Sequence, residues 1–390
     1  MATTGGTDPM TDERPPDATS EHDESVRAGV FDGPEVATSG SVGTVHAGGP
    51  PTADAFGISG SSVRRADRIF LGLAAGSGAF LLVVMAAIAA FLIWKAIPAL
   101  TAQSPLALLS TQSWFPGATP PVFGIAAIFF GTVMSAFIAM LVGVPIAVGV
   151  ALFISHYAAR RAATTLGAIV DLLAAVPSLV FGMWGLYFLI PKTQGFQMWL
   201  ADYFSWIPLF NAKPRDVNGN PVLDGATGAP LALTAQQYGK SLLIAGIVLA
   251  IMIIPVVSAV CREVFLQVPT ETKDAAWALG STKWEMIRTA VLPFGRAGMI
   301  SAAMLGLGRA LGETIAVALV LNSGFKINWV LNEVGGDTFA STIALKFGEA
   351  SGSKLGIPAL ITAGLFLFAI TLIVNTIARL IIARRKEFTA

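Results

Sequence analysis

Cysteine is almost absent: Cys261 is the only one in 390 residues, so the chain can form neither an internal disulfide nor a thiolate metal cluster. Histidine is nearly as scarce. Of His22, His46 and His156, the first two sit in a polar stretch near the start, so no set of imidazoles is left for a metal centre. Charge is short as well. Asp, Glu, Lys and Arg make up 13% of the chain with a formal net charge of +1, against about 25% charged residues in soluble domains. So few, nearly balanced charges exclude a polybasic nucleic-acid binder and a strongly acidic carrier. No Ser/His/Asp or Cys/His arrangement and no H-E-x-x-H run suggests an enzyme. A G-x-x-x-x-G-K-[ST] phosphate loop is missing too, so any ATP is bound by another chain.

What the chain has is apolar length: 54% hydrophobic residues and a mean hydropathy of +0.69. Crossing a hydrocarbon core of about 30 Å takes about 20 apolar residues. Six runs qualify, at about 69–96, 125–155, 162–190, 242–261, 297–321 and 358–382. The expected fold is an all-α polytopic membrane protein with six transmembrane helices. Gly143, Pro145, Pro177 and Gly182 argue against perfectly straight second and third helices without disqualifying them, since neighbouring helices can satisfy freed backbone groups. Residues 1–62 differ from the rest. They are acidic, rich in Gly, Ser, Thr and Pro, and lack the basic start and apolar core of a secretory signal. They read as a disordered tail, and a solvated extension is favoured over an acidic docking arm. Residues 63–390 form the transmembrane domain.

Orientation follows from Lys and Arg near the span ends. The side holding Arg64, Arg65, Arg68, Arg160, Arg161, Arg262–Arg296 and Arg379–Lys386 outnumbers the other, which places both termini in the cytoplasm. Segments 97–124, 191–241 and 323–356 are then external. Within 191–241, an aromatic amphipathic piece at Phe196–Phe210 precedes turn-forming residues from Asn211 to Pro221.

The cytoplasmic loop 262–296 carries unusually clear local signals. Thr270 after Pro269 suits a helix N-cap, with Glu271 in the first turn where a carboxylate complements the dipole. The helix is expected to stop at Gly280. Thr282 and Glu285 then form a capping box for a second short helix, expected to end at Pro293. Trp277, Leu279 and Trp284 would make this a compact apolar knob. Packing on lipid accounts for those side chains but not for so many capping signals.

Two charges stand out inside the fifth run. Arg309 lies twelve residues beyond Ala297, roughly 18 Å deep at 1.5 Å per residue. Glu313 follows at i+4 and is expected on the same helix face. A self-neutralised structural pair is one reading. A polar pathway is the other and is favoured, because burying such a pair brings little stability. Asp171, in the third run, is either a hydrogen-bonding partner for a neighbouring helix or a second polar group of the path. Thr314 and Asn322 are further polar linings.

The motif Asp274-Ala275-Ala276-x-x-x-Gly280, followed by Leu292-Pro293, resembles the EAA loop of ABC importer permeases, with Asp274 where Glu is usual and Ala290 where Ile is usual. Downstream, Leu307–Val317 resembles the R-A-x-G-E-T run of phosphate permeases. The stretches Val122-Phe-Gly124…Gly131-Thr132…Ser135 and Val176–Gly185 resemble the PstC subunit more than its PstA sister. The similarity covers roughly 63–388.

The resemblance implies a type I importer permease of the bacterial plasma membrane, itself not an enzyme, that carries inorganic phosphate. Its implied partners are a PstA-type sister permease, an ATP-binding subunit dimer holding ATP and Mg, an extracytoplasmic phosphate-binding protein and membrane lipids, with no nucleic acid. The chain itself would bind no cofactor. Asp274, Ala275, Ala276, Gly280 and Pro293 would couple to the ATPase, and Arg309, Glu313, Thr314, Asp171 and Asn322 would line the path. Such chemistry suits phosphate: a guanidinium offers planar, bidentate donors, and Glu313 can accept the proton that phosphate carries and sulfate lacks. A permease for another oxyanion or small solute remains an alternative. So does an ion-coupled secondary transporter, although that class usually shows internal repeats, and none is evident here.

Overall fold

A computed structural model describes residues 65–212 and 238–386. The acidic tail 1–62 and most of the turn-forming stretch after Asn211 lie outside the described residues. Contacts divide the chain after Leu71. Arg65–Leu71 is helical, and the core and every site discussed belong to Gly72 onward.

Five helical stretches are long and apolar enough to cross a membrane, and a bent pair supplies a sixth. The described helices are α1 (Arg65–Ala102), α2 (Pro105–Ser110), α3 (Ala126–Leu152), α4 (Arg160–Ala174), α5 (Ser178–Trp184), α6 (Ile190–Tyr203), α7 (Leu242–Leu266), α8 (Thr270–Ala278), α9 (Lys283–Met286), α10 (Leu292–Gly312), α11 (Ile315–Val320), α12 (Phe339–Ala350) and α13 (Gly356–Lys386). The only strands among the described residues, β1 (Trp114–Phe115) and β2 (Val122–Phe123), pair antiparallel.

The principal core is α7 packed on α3, with α4 and α10 also against α7 and α13 against α10. Lipid tails are as apolar as leucine, so close approach through small residues holds these helices together. Gly246 shows how close: a Cβ there would lie 2.5 Å from the Ile138 side chain. A second cluster joins Ala99, Trp114, Phe123, Phe339 and Leu360, with Trp114 stacked on Phe325 at 5.8 Å.

The third expected span, 162–190, is not one rod. Helix α4 ends at Ala174, Pro177 takes an extended backbone (ψ 138°), and the chain turns by 90° into α5. Proline lacks the donor that would continue α4 and also disfavours helical geometry in the residue before it. At 15 residues α4 is too short to cross alone. The second limb instead runs past residue 190: α5 passes through a wide five-residue turn, Gly185–Leu189, directly into α6 and reaches Tyr203. The amphipathic piece expected from Phe196 is therefore partly the end of this helix, with Phe196, Trp199 and Tyr203 stacked in series.

The fifth span, expected at 297–321, shifts at both ends. It begins at Lys283, because Pro293 does not end the helix. The wide turn Ile287–Val291 bonds Leu292 N–H back to Ile287, which puts Pro293 in a first turn, where its missing N–H costs nothing. At the other end α10 stops at Gly312.

Candidate functional site

The break after Gly312 decides how the two buried charges relate. Glu313 has an extended backbone (φ −71°, ψ 121°), and helix resumes only at Ile315. Glu313 therefore sits at the C-cap, just past the end of α10, and forms no ion pair with Arg309, although the i, i+4 spacing would allow one. Glycine is a poor helix former, and the carboxylate has another use: Glu313 Oε1 accepts from the Ala316 amide at 3.4 Å, capping the start of α11. Thr314 donates to the Gly312 carbonyl at 3.3 Å. Glu313-Thr314 is thus a short break in the helix with polar side chains in an apolar bundle. Such backbone is tolerated at membrane depth only where protein surrounds it or it lines a cavity.

Arg309 lies in the last turn of α10 and forms no ion pair with any carboxylate among the described residues. Its Nε is buried and has no hydrogen-bond partner. The guanidinium lines a cavity of about 650 Å³ that Ser301, Asn375 and Arg379 also reach. The self-neutralised pair is therefore not the observed geometry. An unpaired cation beside a helix break leaves donors free for an anion.

The structure places Asp171 elsewhere. It sits on α4, half exposed, and accepts from Arg262 Nη2 at 3.3 Å; the same guanidinium nitrogen donates to Glu263 at 3.1 Å. Asp171 and Arg262 line a different cavity, with Arg160 and Thr164. Asn322 follows the end of α11 and is exposed.

The loop between α7 and α10 folds as a knob. Pro269, not Thr270, occupies the N-cap of α8: its extended ψ of 140° leads into Thr270 as the first helical residue, and no side-chain cap bond forms. Gly280 closes α8 with φ +75°, a left-handed conformation that side-chain-bearing residues adopt at a cost. Its amide bonds the Trp277 carbonyl at 2.9 Å, and Ser281 Oγ donates to the Ala276 carbonyl at 2.7 Å. The capping box is complete: the Thr282 amide donates to Glu285 Oε2 at 2.8 Å, and the Glu285 amide donates to Thr282 Oγ1 at 3.3 Å. Met286, Ile287 and Val291 anchor the knob in the principal core. Asp274 and Ala275 are exposed and Ala276 half buried, while Leu279 is 89% exposed and Trp277 and Trp284 are more than half exposed. The knob is anchored in the core and presents an apolar outer face. Pro293 is exposed at the root of α10.

One buried acid escaped the sequence reading. Asp337 precedes α12 and is almost wholly enclosed. It accepts from Ser341 Oγ, from Ser323 Oγ at 2.9 Å and from the Thr338 amide at 2.9 Å. Burial pushes its carboxyl above the usual range, against the pull of those hydrogen bonds. Its backbone carbonyl lies where a Cβ on Gly131 would fall, 2.0 Å away, and Thr132 Oγ1 accepts from the Phe339 amide at 3.0 Å. The only sequence signal was the Thr338-x-x-Ser341 spacing, a capping box.

Residues 143–387 match the family described as binding-protein-dependent transport system inner membrane component. Phosphate transport system permease protein PstC 2 of Mycobacterium tuberculosis is 42% identical over 319 residues, covering 82% of this chain and 92% of that protein. PstC of Xylella fastidiosa is 39% identical over 326 residues, covering 83% and 93%. Among solved structures, the MetNI methionine ABC transporter in an inward-facing conformation aligns with 67% of this chain and 94% of its own at 16% identity and a TM-score of 0.42. A bacterial ABC transporter involved in alginate import aligns with 67% and 79% at 17% identity and a TM-score of 0.44. By the family match and by its identity to these PstC proteins, the chain belongs to the inner-membrane permeases of binding-protein-dependent transport systems.

Proposed function

We propose that this chain is the transmembrane subunit of an ATP-driven importer of inorganic phosphate and forms half of the translocation path beside a PstA-type sister permease. The observation that carries the reading is Arg309, an unpaired guanidinium at a helix break, in a chain whose relatives of 39–42% identity are phosphate permeases. Arg309 is the midplane station for the anion, and its bidentate donors suit phosphate oxygens. Glu313 and Thr314, on the adjoining helix break, moderate that charge, and the Glu313 carboxylate accepts a hydrogen bond from the O–H of the hydrogen phosphate ion. Asn322 and Asp171 belong to the approaches on either side of the station.

The knob supplies the coupling. Asp274, Ala275, Ala276 and Gly280 meet an ATP-binding subunit dimer, which holds ATP and Mg, and Pro293 fixes the joint between knob and α10. An extracytoplasmic phosphate-binding protein delivers the anion. Both termini face the cytoplasm, following the Lys and Arg distribution. Uptake of labelled phosphate by the complex reconstituted in vesicles, with and without the ATPase, tests this directly. Uptake that needs ATP and discriminates against sulfate is the expected result. Uptake without the ATPase would point to an ion-coupled carrier instead, and equal transport of sulfate to a general oxyanion permease.

A further inference from the structure

The cavity at Arg309 contains a second cation. Arg379 and Asn375, one turn apart on the same face of α13, line it opposite Ser301 and Arg309 of α10. Ser301 and Arg309 are separated by eight residues, so the groove extends roughly 12 Å along α10. Among the described residues no carboxylate pairs with either guanidinium. Val256 and Met304 supply apolar wall. Two like charges facing one groove repel across a medium that screens poorly, and an anion between them removes that cost. The donors present, two planar forks with a hydroxyl and a carboxamide, fit a tetrahedral oxyanion.

We propose that the α10–α13 groove is a second phosphate station, in which Arg379 receives the anion from Arg309 and releases it toward the cytoplasm. The proposal rests on the phosphate-permease reading above. Two stations of moderate strength suit conduction better than one strong trap, because the anion must leave as readily as it enters. A phospholipid headgroup presents the same phosphoryl chemistry, so the test separates the free anion from lipid.

In the assembled complex, with buried Cys261 replaced by alanine, Ser301→Cys provides a thiol inside the groove. A membrane-impermeant cationic thiol reagent is applied to inside-out vesicles of zwitterionic lipid, with phosphate or with chloride at equal ionic strength. Phosphate is expected to slow labelling about tenfold, equivalent to about 1.4 kcal/mol. Arg379→Gln is expected to abolish that protection and Arg379→Lys to keep part of it. Protection that survives Arg379→Gln would overturn the proposal. So would a thiol that never labels, which would mean that the sister subunit seals the groove, or protection that appears only when anionic lipid is added, which would assign the groove to a headgroup. Uptake then separates the two readings. If Arg309→Gln abolishes uptake while Arg379→Gln leaves it unchanged, this inference alone fails; if Arg309→Gln leaves uptake unchanged, the underlying reading fails.

Discussion

At its Lys283 end, the long helix that runs to Gly312 opens with a capping box, directly after the left-handed glycine and the hydroxyl–carbonyl bond that close α8. At its Gly312 end no backbone cap bond closes α10, and Glu313 is extended. The side chains reverse that order. The well-capped end turns Trp277, Leu279 and Trp284 outward, whereas the uncapped end holds Arg309 among apolar neighbours. Each end is locally incomplete in its own way, one with exposed apolar side chains and the other with a charge in a groove of the bundle. On the proposed function a protein resolves the first conflict and an anion the second.

The sharpest way to break this comparison is at the inner end. Arg309→Gln is expected to lower phosphate uptake about a hundredfold or more, the worth of about 2.8 kcal/mol at about 1.4 kcal/mol per tenfold, with the complex still assembled. Glu313→Gln should act more gently, slowing release and weakening discrimination against sulfate. If the two charges serve only the fold, joint replacement by Met and Leu would restore selective uptake, and that result would reject the pathway role.

At the knob, Gly280→Val forces a β-branched residue to φ +75°, at a cost on the order of 1–3 kcal/mol. Nothing lies within 4 Å of the added Cβ, so the damage is to the turn and not to packing. ATP hydrolysis should continue while uptake falls. Normal coupling in that variant would remove the knob from the transport cycle.

Asp337 offers a subtler measurement. Its carboxyl is raised above the unfolded value of 3.8, so the folded state binds the proton more tightly. Stability from this group is present below the unfolded value and is lost as pH rises toward the folded one. Thermal unfolding followed across that window should show the decline in the parent and a flatter profile in Asp337→Asn. Identical profiles would mean that the carboxyl titrates normally. Smallest of all, Thr282→Ala removes one cap and should cost about 1 kcal/mol of local stability, visible as faster amide exchange at Glu285 with uptake unchanged.

How much of this was legible in the sequence depends on distance along the chain. The all-α membrane class is written in apolar run length, and the capping box at Thr282 lies within four adjacent residues. Gly280 as the stop of α8 is legible for the same reason. The bonds of Asp171 are not, because its partner Arg262 is 91 residues away. Pro293 misled because proline normally ends a helix, and only a wide turn immediately before it makes its position harmless. The i, i+4 spacing of Arg309 and Glu313 does not become an ion pair. Helix α10 ends at Gly312, and the Glu313 carboxylate accepts from the Ala316 amide instead. Asp337 was invisible because its cradle is assembled from Ser323, Thr338 and Ser341 across a loop.

The wide turn at Ile287–Val291 has an angular consequence. It fits one residue more than an ordinary turn would, so everything beyond it points about 100° away from where an uninterrupted α-helix would carry it. The azimuth of Arg309, and with it the choice of α13 as the wall it faces, is therefore set next to the exposed knob. Were that turn to tighten, the guanidinium would rotate by about 100° out of the groove while shifting only about 1.5 Å along the axis. If Arg309 is the anion's station as proposed, the backbone of the permease has in this turn the means to convert a small change at the knob into a rotation of that charge.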